Sequence, residues 1–455
     1  MINKKKTYYF IGIGGIGMSA LARYFHHTGN KVSGYDRTPT ELTNELIAEG
    51  IEVFFEENIS HITPDTDMVI YTPAIPHDSI ELNYAKEKQI PLKKRSEVLG
   101  ELASQKKCIA VAGSHGKTTV SSLIAHLLNT SKIGCSAFLG GISKNLNSNV
   151  LINSQSDYLV VEADEYDKSF LALYPYYTVI TSADADHLDI YETHDNLYRN
   201  FNLFANQTQP EGKLFAKLGL GFDINLDIQK VTYSLDGLSA DYYVWNLRVY
   251  KGRYFFDLHI EDNVLYDIEF NYPGLHNIEN AVVASVVALE CGVSEEELRE
   301  GLKTFQGVKR RFDYRIQRDD LVFIDDYAHH PNELKAIIES VRHLYPNKKI
   351  TGIFQPHLYS RTRDFGDEFA RVLETLDEVV LLDIYPAREE PIPGITSKWL
   401  LMKINKMDKY LTVKEDLTGL LEALYPEIIL TLGAGDIDKL VAPIEDAFKN
   451  TTQTE

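Results

Sequence analysis

The chain has 455 residues, a length that suggests about three domains, and its 44% apolar content is enough for ordinary globular cores. A formal charge of −20 argues against a nucleic-acid partner, which would require a basic face. The three cysteines, Cys108, Cys135 and Cys291, lack metal-type spacing, and two of them lie in apolar runs as buried thiols in a reducing cytoplasm would.

Lys4-Lys5-Lys6 ahead of Tyr8-Tyr9-Phe10-Ile11 imitates the start of a signal peptide. Glycines break the apolar run, Arg23 ends it, and no small-residue cleavage site follows. No segment reaches the roughly 18 uninterrupted apolar residues of a membrane helix. The expectation is a cytoplasmic chain without membrane insertion.

Three α/β domains are expected, with boundaries at 1–106, 107–312 and 313–455. The first opens with a strand over 7–13, the loop Gly12-Ile13-Gly14-Gly15-Ile16-Gly17, a helix over 18–26 and a strand over 31–35 ending at Asp36. Three glycines in a strand–helix–strand setting, with an acid about 20 residues on, form a Rossmann-like cradle for a pyrophosphate-bearing ligand. They do not specify which ligand, and a solvated strand-end carboxylate is the lesser alternative for Asp36. A strand over 67–72 leads into Thr72-Pro73-Ala74, at the sheet end where such folds bind ligands.

The second domain begins with the strand Cys108-Ile109-Ala110-Val111-Ala112 and then Gly113-Ser114-His115-Gly116-Lys117-Thr118-Thr119, with helical apolar spacing over 120–128. This is a shortened P-loop. Gly116 lets the backbone approach a phosphate, Lys117 can reach the outer phosphates, and Thr118 can ligate magnesium. A surface lysine after a glycine turn is the bland alternative. Two further strands each run into carboxylates: Glu162, Asp164 and Glu165 after the first, Asp184, Asp186, His187 and Asp189 after the second. Hard oxygens beside a phosphate loop are where a magnesium ion is expected. Residues 242–270 alternate aromatic and polar residues, as an antiparallel appendage turning at Lys251-Gly252 would. Asn277 and Asn280 stand three apart near a helix start, so both amides can face one ligand such as an adenine edge; helix capping would also account for Asn277.

The third domain alternates strands and helices, which predicts a mostly parallel sheet. Its polar motifs follow strands: Asp325-Asp326-Tyr327-Ala328-His329-His330-Pro331, then residues 355–364, then Asp383 to Arg388, then Gly433-Ala434-Gly435-Asp436. Arg361, Arg363 and Arg388 could bind anionic substrate despite the overall acidity. Two phosphate-type loops in separate domains imply two phosphate-bearing ligands, with a reaction in the cleft between domains.

These motifs resemble, in order and over essentially the whole chain, the Mur ligases, the ATP-dependent amino-acid ligases of peptidoglycan precursor synthesis. The resemblance rests on residues 113–119, Glu162 to Glu165, His276 to Asn280, Arg310-Arg311-Phe312 and Asp325 to Pro331. It implies a Rossmann-like N-terminal domain for UDP-N-acetylmuramate, a central P-loop ATPase-type domain for ATP with Mg2+, and a closing C-terminal Rossmann-like α/β domain. The dinucleotide-like first domain, Ser114-His115 and residues 355–364 imply the member that adds L-alanine. The rival is the recycling member that joins a ready-made tripeptide, of which Glu165-Tyr166-Asp167 is reminiscent.

Carried over residue by residue, Gly12, Gly14, Gly15, Gly17, Asp36, Thr72 and Ala74 would bind the UDP-sugar. Gly113, Ser114, His115, Gly116, Lys117, Thr118, Thr119, His276, Asn277, Asn280, Arg311 and Asp326 would bind ATP. Thr118, Glu162 and His187 would hold metal, and Tyr327, His329 and Arg361 would line the amino-acid and acyl site. Lys117, Glu162, His187, Arg311 and His329 would be catalytic, His329 being the candidate amine base. Two departures stand out. Many alanine-adding members carry arginine where this chain has Leu358. No lysine lies between His187 and Lys213, so the carbamylated lysine of several Mur ligases is not expected. A monomer or homodimer is expected. An NAD-dependent oxidoreductase with a nucleotide-binding regulatory region would explain residues 12–17 and little else. A non-catalytic nucleotide sensor would leave the carboxylate clusters without a purpose.

Overall fold

The computed structural model describes residues 5–184, 191, 193–250, 253–261, 263–387 and 389–449. Alternating apolar runs and glycine turns produce three sheets. The first joins β1 (Thr7–Ile11), β2 (Lys31–Tyr35), β3 (Glu52–Phe54), β4 (Met68–Tyr71) and β5 (Leu92–Lys94) in the order β3-β2-β1-β4-β5, all parallel. Residues of a strand alternate between faces. Tyr8 and Phe10 accordingly enter one apolar cluster with Leu21 and Phe25 of the helix Ile16–His27, and Tyr9 and Ile11 enter the opposite one with Leu82 and Ala85.

The second sheet contains β6 (Lys107–Ala112), β7 (Ser136–Ser143), β8 (Ser148–Leu151), β9 (Tyr158–Glu162), β10 (Tyr177–Ile180), β11 (Lys213–Lys217), β12 (Gln229–Ser234), β13 (Tyr242–Tyr250), β14 (Arg253–Ile260) and β15 (Asn263–Phe270). Their order is β15-β14-β13-β12-β11-β10-β6-β9-β7-β8. The aromatic-rich strands β13 to β15 are antiparallel, as expected, but they are no separate appendage. Tyr233 and Ser234 of β12 pair in parallel with Tyr242 and Tyr243, so the hairpins extend the main sheet. The expected turn at Lys251-Gly252 lies outside the described residues.

The third sheet joins β16 (Asp313–Gln317), β17 (Val322–Asp326), β18 (Ile350–Phe354), β19 (Glu378–Leu381), β20 (Lys409–Leu411) and β21 (Ile428–Leu432) in the order β16-β17-β21-β18-β19-β20. It is parallel except for β16. The strand expected to end at Ile324 runs on through Asp325 and Asp326, so these carboxylates are strand residues rather than loop residues.

The sheets fall into two compact units. The first two sheets form one, and the third forms the other. The chain enters the second unit early, for Tyr272–Ile278 belongs to it while Glu279–Gln306 returns to the first. The helix Leu275–Glu290 therefore starts in one unit and continues in the other, which the boundary at 312 did not anticipate. Among the described residues no helix is long and apolar enough to cross a membrane.

Within the first unit the two sheets share one apolar cluster, and a buried cation ties them. Arg23, 7% exposed, reaches Glu45 and Glu49 at 2.7 Å and donates to Asn149 Oδ1 at 2.6 Å. Asn149 Nδ2 in turn donates to the carbonyl of Ile16 at 2.6 Å. Removing the guanidinium strands buried hydrogen-bonding groups, and such losses cost about 2–3 kcal/mol. Arg23→Ala should therefore lower the melting temperature by several degrees without preventing folding. A thermal scan with unchanged midpoint would show that the network contributes no stability.

Candidate functional site

The central strand β6 is flanked by β9 and β10, with Val111 opposite Glu162 and Ala112 opposite Ile180. The chain leaves the sheet at Gly113 and turns into the helix Lys117–Thr130 through Gly116, whose φ is +83°. A Cβ at Gly116 would stand 2.9 Å from Asn280 Oδ1, so glycine serves both the left-handed turn and the close approach. The helix start offers N–H groups and a partial positive charge. The loop is pinned from its flank: Ser114 Oγ donates to the carbonyl of Asp184 at 2.7 Å, and the His115 N–H donates to Ser182 Oγ at 2.9 Å. His115 Nε2 lies 3.6 Å from Asp184 Oδ2, and Thr119 is buried in the first helical turn.

Thr118 Oγ1 donates to Glu162 Oε1 at 3.1 Å, and Glu162 Oε2 accepts the Gly140 N–H at 3.0 Å. A Cβ at Gly140 would collide with this carboxylate. Lys117 Nζ donates to the Gly113 carbonyl at 2.6 Å and to Glu165 Oε1 at 2.8 Å. Burial draws the lysine's pKa down, but Glu165, Asp164 and Glu162 outweigh it and hold the ammonium above its ordinary value. His187, Asp186 and Asp189 lie outside the described residues. Among the described residues no group of three or more His, Cys, Asp and Glu is arranged to hold a metal ion. A hydroxyl and a carboxylate beside a phosphate loop nevertheless fit magnesium, which takes few protein ligands and completes its shell with phosphates and water.

In the first sheet the N–H groups of Gly12 and Ile13 both donate to the Tyr35 carbonyl, at 2.7 and 3.0 Å. Asp36 Oδ2 accepts the Gly14 N–H at 2.8 Å. One carboxylate oxygen expected to face a ribose therefore shapes the glycine loop instead. Gly15 precedes the helix, and a Cβ on Gly17 would stand 2.9 Å from Arg95 Nη1. Arg95 also lies 3.7 Å from Asp164 and so spans from this loop to the carboxylates near Lys117. Thr72 Cγ2 would be 3.0 Å from a Cβ on Gly12, whereas Ala74 is exposed.

In the second unit, buried Asp325 and Asp326 organise the Arg310-Arg311-Phe312 turn. Asp326 accepts the N–H groups of Phe312 at 2.7 Å and Ala328 at 2.8 Å, and Asp325 faces Arg310 Nε at 3.2 Å. Arg310 and Phe312 hold φ of +61° and +45°, a conformation costly for side-chain-bearing residues. Both guanidiniums lie over the Tyr327 ring, with centroid distances of 5.2 Å for Arg310 and 5.1 Å for Arg311. Burial pushes Asp326 up to about 6 against the opposing pull of Arg311 and the two N–H groups. Burial, helped by Arg311, depresses His276 to about 4; its Nδ1 lies 3.5 Å from Ser340 Oγ. Asn277 is buried, and its Nδ2 donates to the Pro273 carbonyl at 2.5 Å.

His329 Nδ1 lies 3.0 Å from the Tyr327 carbonyl and 3.3 Å from Glu333 Oε2. His330 caps the helix Pro331–Leu344. Leu358 holds φ +71° ahead of the short helix Tyr359–Asp364 that carries Arg361, and Arg388 lies outside the described residues.

Sequence reasoning missed Gly140, Arg95 and Glu333. Gly140 and Arg95 carry no local motif and meet the site through pairings distant in sequence; Glu333 had a signal, its place three residues after the helix cap.

Three family models match in succession: "Mur ligase family, catalytic domain" over residues 7–107, "Mur ligase middle domain" over 111–288 and "Mur ligase, glutamate ligase domain" over 310–435. A UDP-N-acetylmuramate–L-alanine ligase of Porphyromonas gingivalis is 50% identical over 448 residues, covering 97% of this chain and 98% of that one. Its counterpart in Parabacteroides distasonis is 47% identical over 452 residues, 98% of each chain. The crystal structure of a UDP-N-acetylmuramate–alanine ligase from Thermotoga maritima matches with a TM-score of 0.84 at 26% identity, covering 98% of this chain and 100% of the other. A murein peptide ligase from Psychrobacter arcticus shares the fold with a TM-score of 0.71 at 21% identity, covering 99% and 100%. With three consecutive domain models matched and relatives 47–50% identical over nearly its whole length, the chain belongs to the Mur ligase family.

Proposed function

We propose that this protein joins L-alanine to the lactyl carboxylate of UDP-N-acetylmuramate at the expense of ATP, in the cytoplasm, through an acyl phosphate. The observation that carries the chemistry is Thr118 Oγ1 at 3.1 Å from Glu162 beside the Lys117 loop, a cradle for a metal-bound triphosphate. The choice of L-alanine is supported by the names of relatives 47–50% identical over nearly the whole chain. Residues 1–106 take the UDP-sugar, 107–312 ATP and 313–455 the amino acid.

The sugar carboxylate attacks the γ-phosphorus, forming a C–O–P bond while the bond to ADP breaks. The alanine amine then attacks the acyl carbon, a C–N bond forms, and inorganic phosphate leaves. Two anions must meet in the first step, so charge compensation and positioning dominate. Lys117 offsets charge on the outer phosphates, and Thr118 and Glu162 would hold a Mg2+ ion, which supplies further compensation when bound. A backbone carbonyl can only accept, so His329 Nδ1 carries the proton toward Tyr327 and the neutral ring keeps its lone pair on Nε2. That nitrogen is the candidate acceptor for the amine's proton. Arg311 and Asp326 are assigned to the nucleotide, His276, Asn277 and Asn280 to its adenosine end, and Tyr327 and Arg361 to the acyl and amino-acid groups.

Phosphate release from ATP with UDP-N-acetylmuramate should occur with L-alanine and not with the cell-wall tripeptide. Release with tripeptide alone would reassign the protein to recycling. Lys117→Ala should lower that release at least about a hundredfold. A folded variant, judged by circular dichroism, with near-normal turnover would remove Lys117 from the reaction.

His276 yields a pH test. Its folded pKa of about 4 lies below the unfolded value of about 6.5, so acidification protonates the unfolded chain first. The stability this histidine contributes is complete above about pH 6.5 and is lost as pH falls through 4. Asp326, raised to about 6, has the opposite slope between its unfolded value and that pH. The Tm difference between wild type and His276→Gln should therefore shrink on acidification, because the variant keeps the Asp326 response and loses the histidine's. A difference that widens would contradict a neutral, desolvated His276.

A further inference from the structure

Arg95 opens the helix Arg95–Ala103 directly after β5, at the carboxyl end of the first sheet, the edge at which such sheets bind ligands. Val98, Leu99 and Ala103 of this helix are buried in the apolar cluster that the first two sheets share. A Cβ on Gly100 would stand 2.5 Å from the Ala172 carbonyl oxygen, so the helix lies tight against the segment that follows β9. Its first residue is thereby fixed at the edge of both sheets. The Arg95 side chain is 17% exposed. Its guanidinium lies against Gly17, where a Cβ would meet Nη1 at 2.9 Å and Cζ at 3.3 Å. Gly17 is the second residue of the helix Ile16–His27, so the cation sits beside the first turn after the glycine loop. Gly15 and Ile16 next to it are exposed.

A guanidinium carries five N–H donors. Among the described residues Arg95 makes no hydrogen bond, and its one ion pair is Nη2 to Asp164 at 3.7 Å. So loose a pair, with a carboxylate 42% exposed, adds little stability. An arginine fixed this firmly with its fork unused is placed to take an anion through two oxygens. An anion at Nη2 would crowd Asp164 and Glu162, which line one crevice with Arg95. An anion at Nη1 instead meets the helix start, whose N–H groups and partial positive charge favour phosphate. The Gly113 to Thr119 loop carries its own lysine, whereas residues 12–17 contain no cation.

We propose that Arg95 binds the diphosphate of the sugar nucleotide, holding it against the glycine loop through Nη1 while Asp164 faces Nη2. This rests on the assignment of residues 1–106 to the UDP-sugar. Arg95 then supplies the positive charge that the loop itself lacks, and Gly17 is small because the guanidinium occupies the place of a side chain.

The test is calorimetric titration of the full chain with UDP-N-acetylmuramate, UDP and Mg·ATP. Arg95→Gln should bind both uridine ligands at least about tenfold more weakly, through loss of a charge-assisted contact, and Mg·ATP within about twofold of wild type. Unchanged affinity for UDP overturns the proposal, and a loss confined to UDP-N-acetylmuramate would move the guanidinium to the sugar or its carboxylate. An equal loss for all three ligands also overturns it, being the mark of a structural arginine that positions Asp164. Arg95→Lys keeps the charge without the fork and should bind UDP less tightly than wild type and more tightly than Arg95→Gln. Should the glutamine variant not fold, a lysine variant that binds UDP as well as wild type overturns the proposal. Wild-type protein that binds neither uridine ligand would sink the UDP-sugar assignment and this proposal with it, an outcome distinct from a wild type that binds and a variant that loses nothing.

Discussion

The register of β6 between β9 and β10 is the constraint from which the candidate site at Gly113 to Thr119 follows. Val111 opposite Glu162 and Ala112 opposite Ile180 put the ends of three parallel strands at one edge, within two residues of Gly113. Side chains of a strand alternate faces, so a slip of one residue in β9 would send Glu162 to the far side of the sheet and bring Ala163 or Val161 to Thr118. The buried, β-branched and apolar residues of these strands oppose such a slip, since each would lose its place in the core. The chemistry at the edge is therefore held in place by packing several residues away from it.

A different device presents Arg311. The Arg310-Arg311-Phe312 turn carries two non-glycine residues with positive φ, which would cost about 1–3 kcal/mol each in isolation. The turn persists because Asp325 receives the Arg310 guanidinium and Asp326 the Phe312 N–H, and because Tyr327 lies under both guanidiniums. The same acids that look like substrate ligands in sequence spend much of their hydrogen-bonding capacity on shaping this turn.

Motifs that are local in sequence were legible. The glycine loops, Lys117, Thr118 and the acids after β9 could be read because strand, turn and helix signals enclose them. The parallel character of the third sheet followed from the alternation of its elements. Contacts set by tertiary pairing were not legible. Nothing in Leu139-Gly140-Gly141 announces that Gly140 must be small because a carboxylate from a neighbouring strand lies against it. Nothing at Arg95 announces Gly17 and Asp164. Asp36 was read as a ligand because its spacing is right, but the same spacing lets it close the loop it follows. The early entry of Tyr272–Ile278 into the second unit was hidden because one continuous helix, Leu275–Glu290, runs through the change of unit.

The two glycine loops of the first unit handle charge in related ways. In an acidic chain, a bare cluster of N–H groups and lysines would be an isolated positive site among carboxylates. Here each loop carries an internal anion: Asp36 on the Gly14 N–H, and Glu165 on Lys117. Both acids sit just beyond a strand of the sheet that bears the loop, so the loop and its counter-anion are fixed by the same framework. The Gly14 N–H and the Lys117 ammonium are thus each oriented by a carboxylate held on the framework that bears the loop.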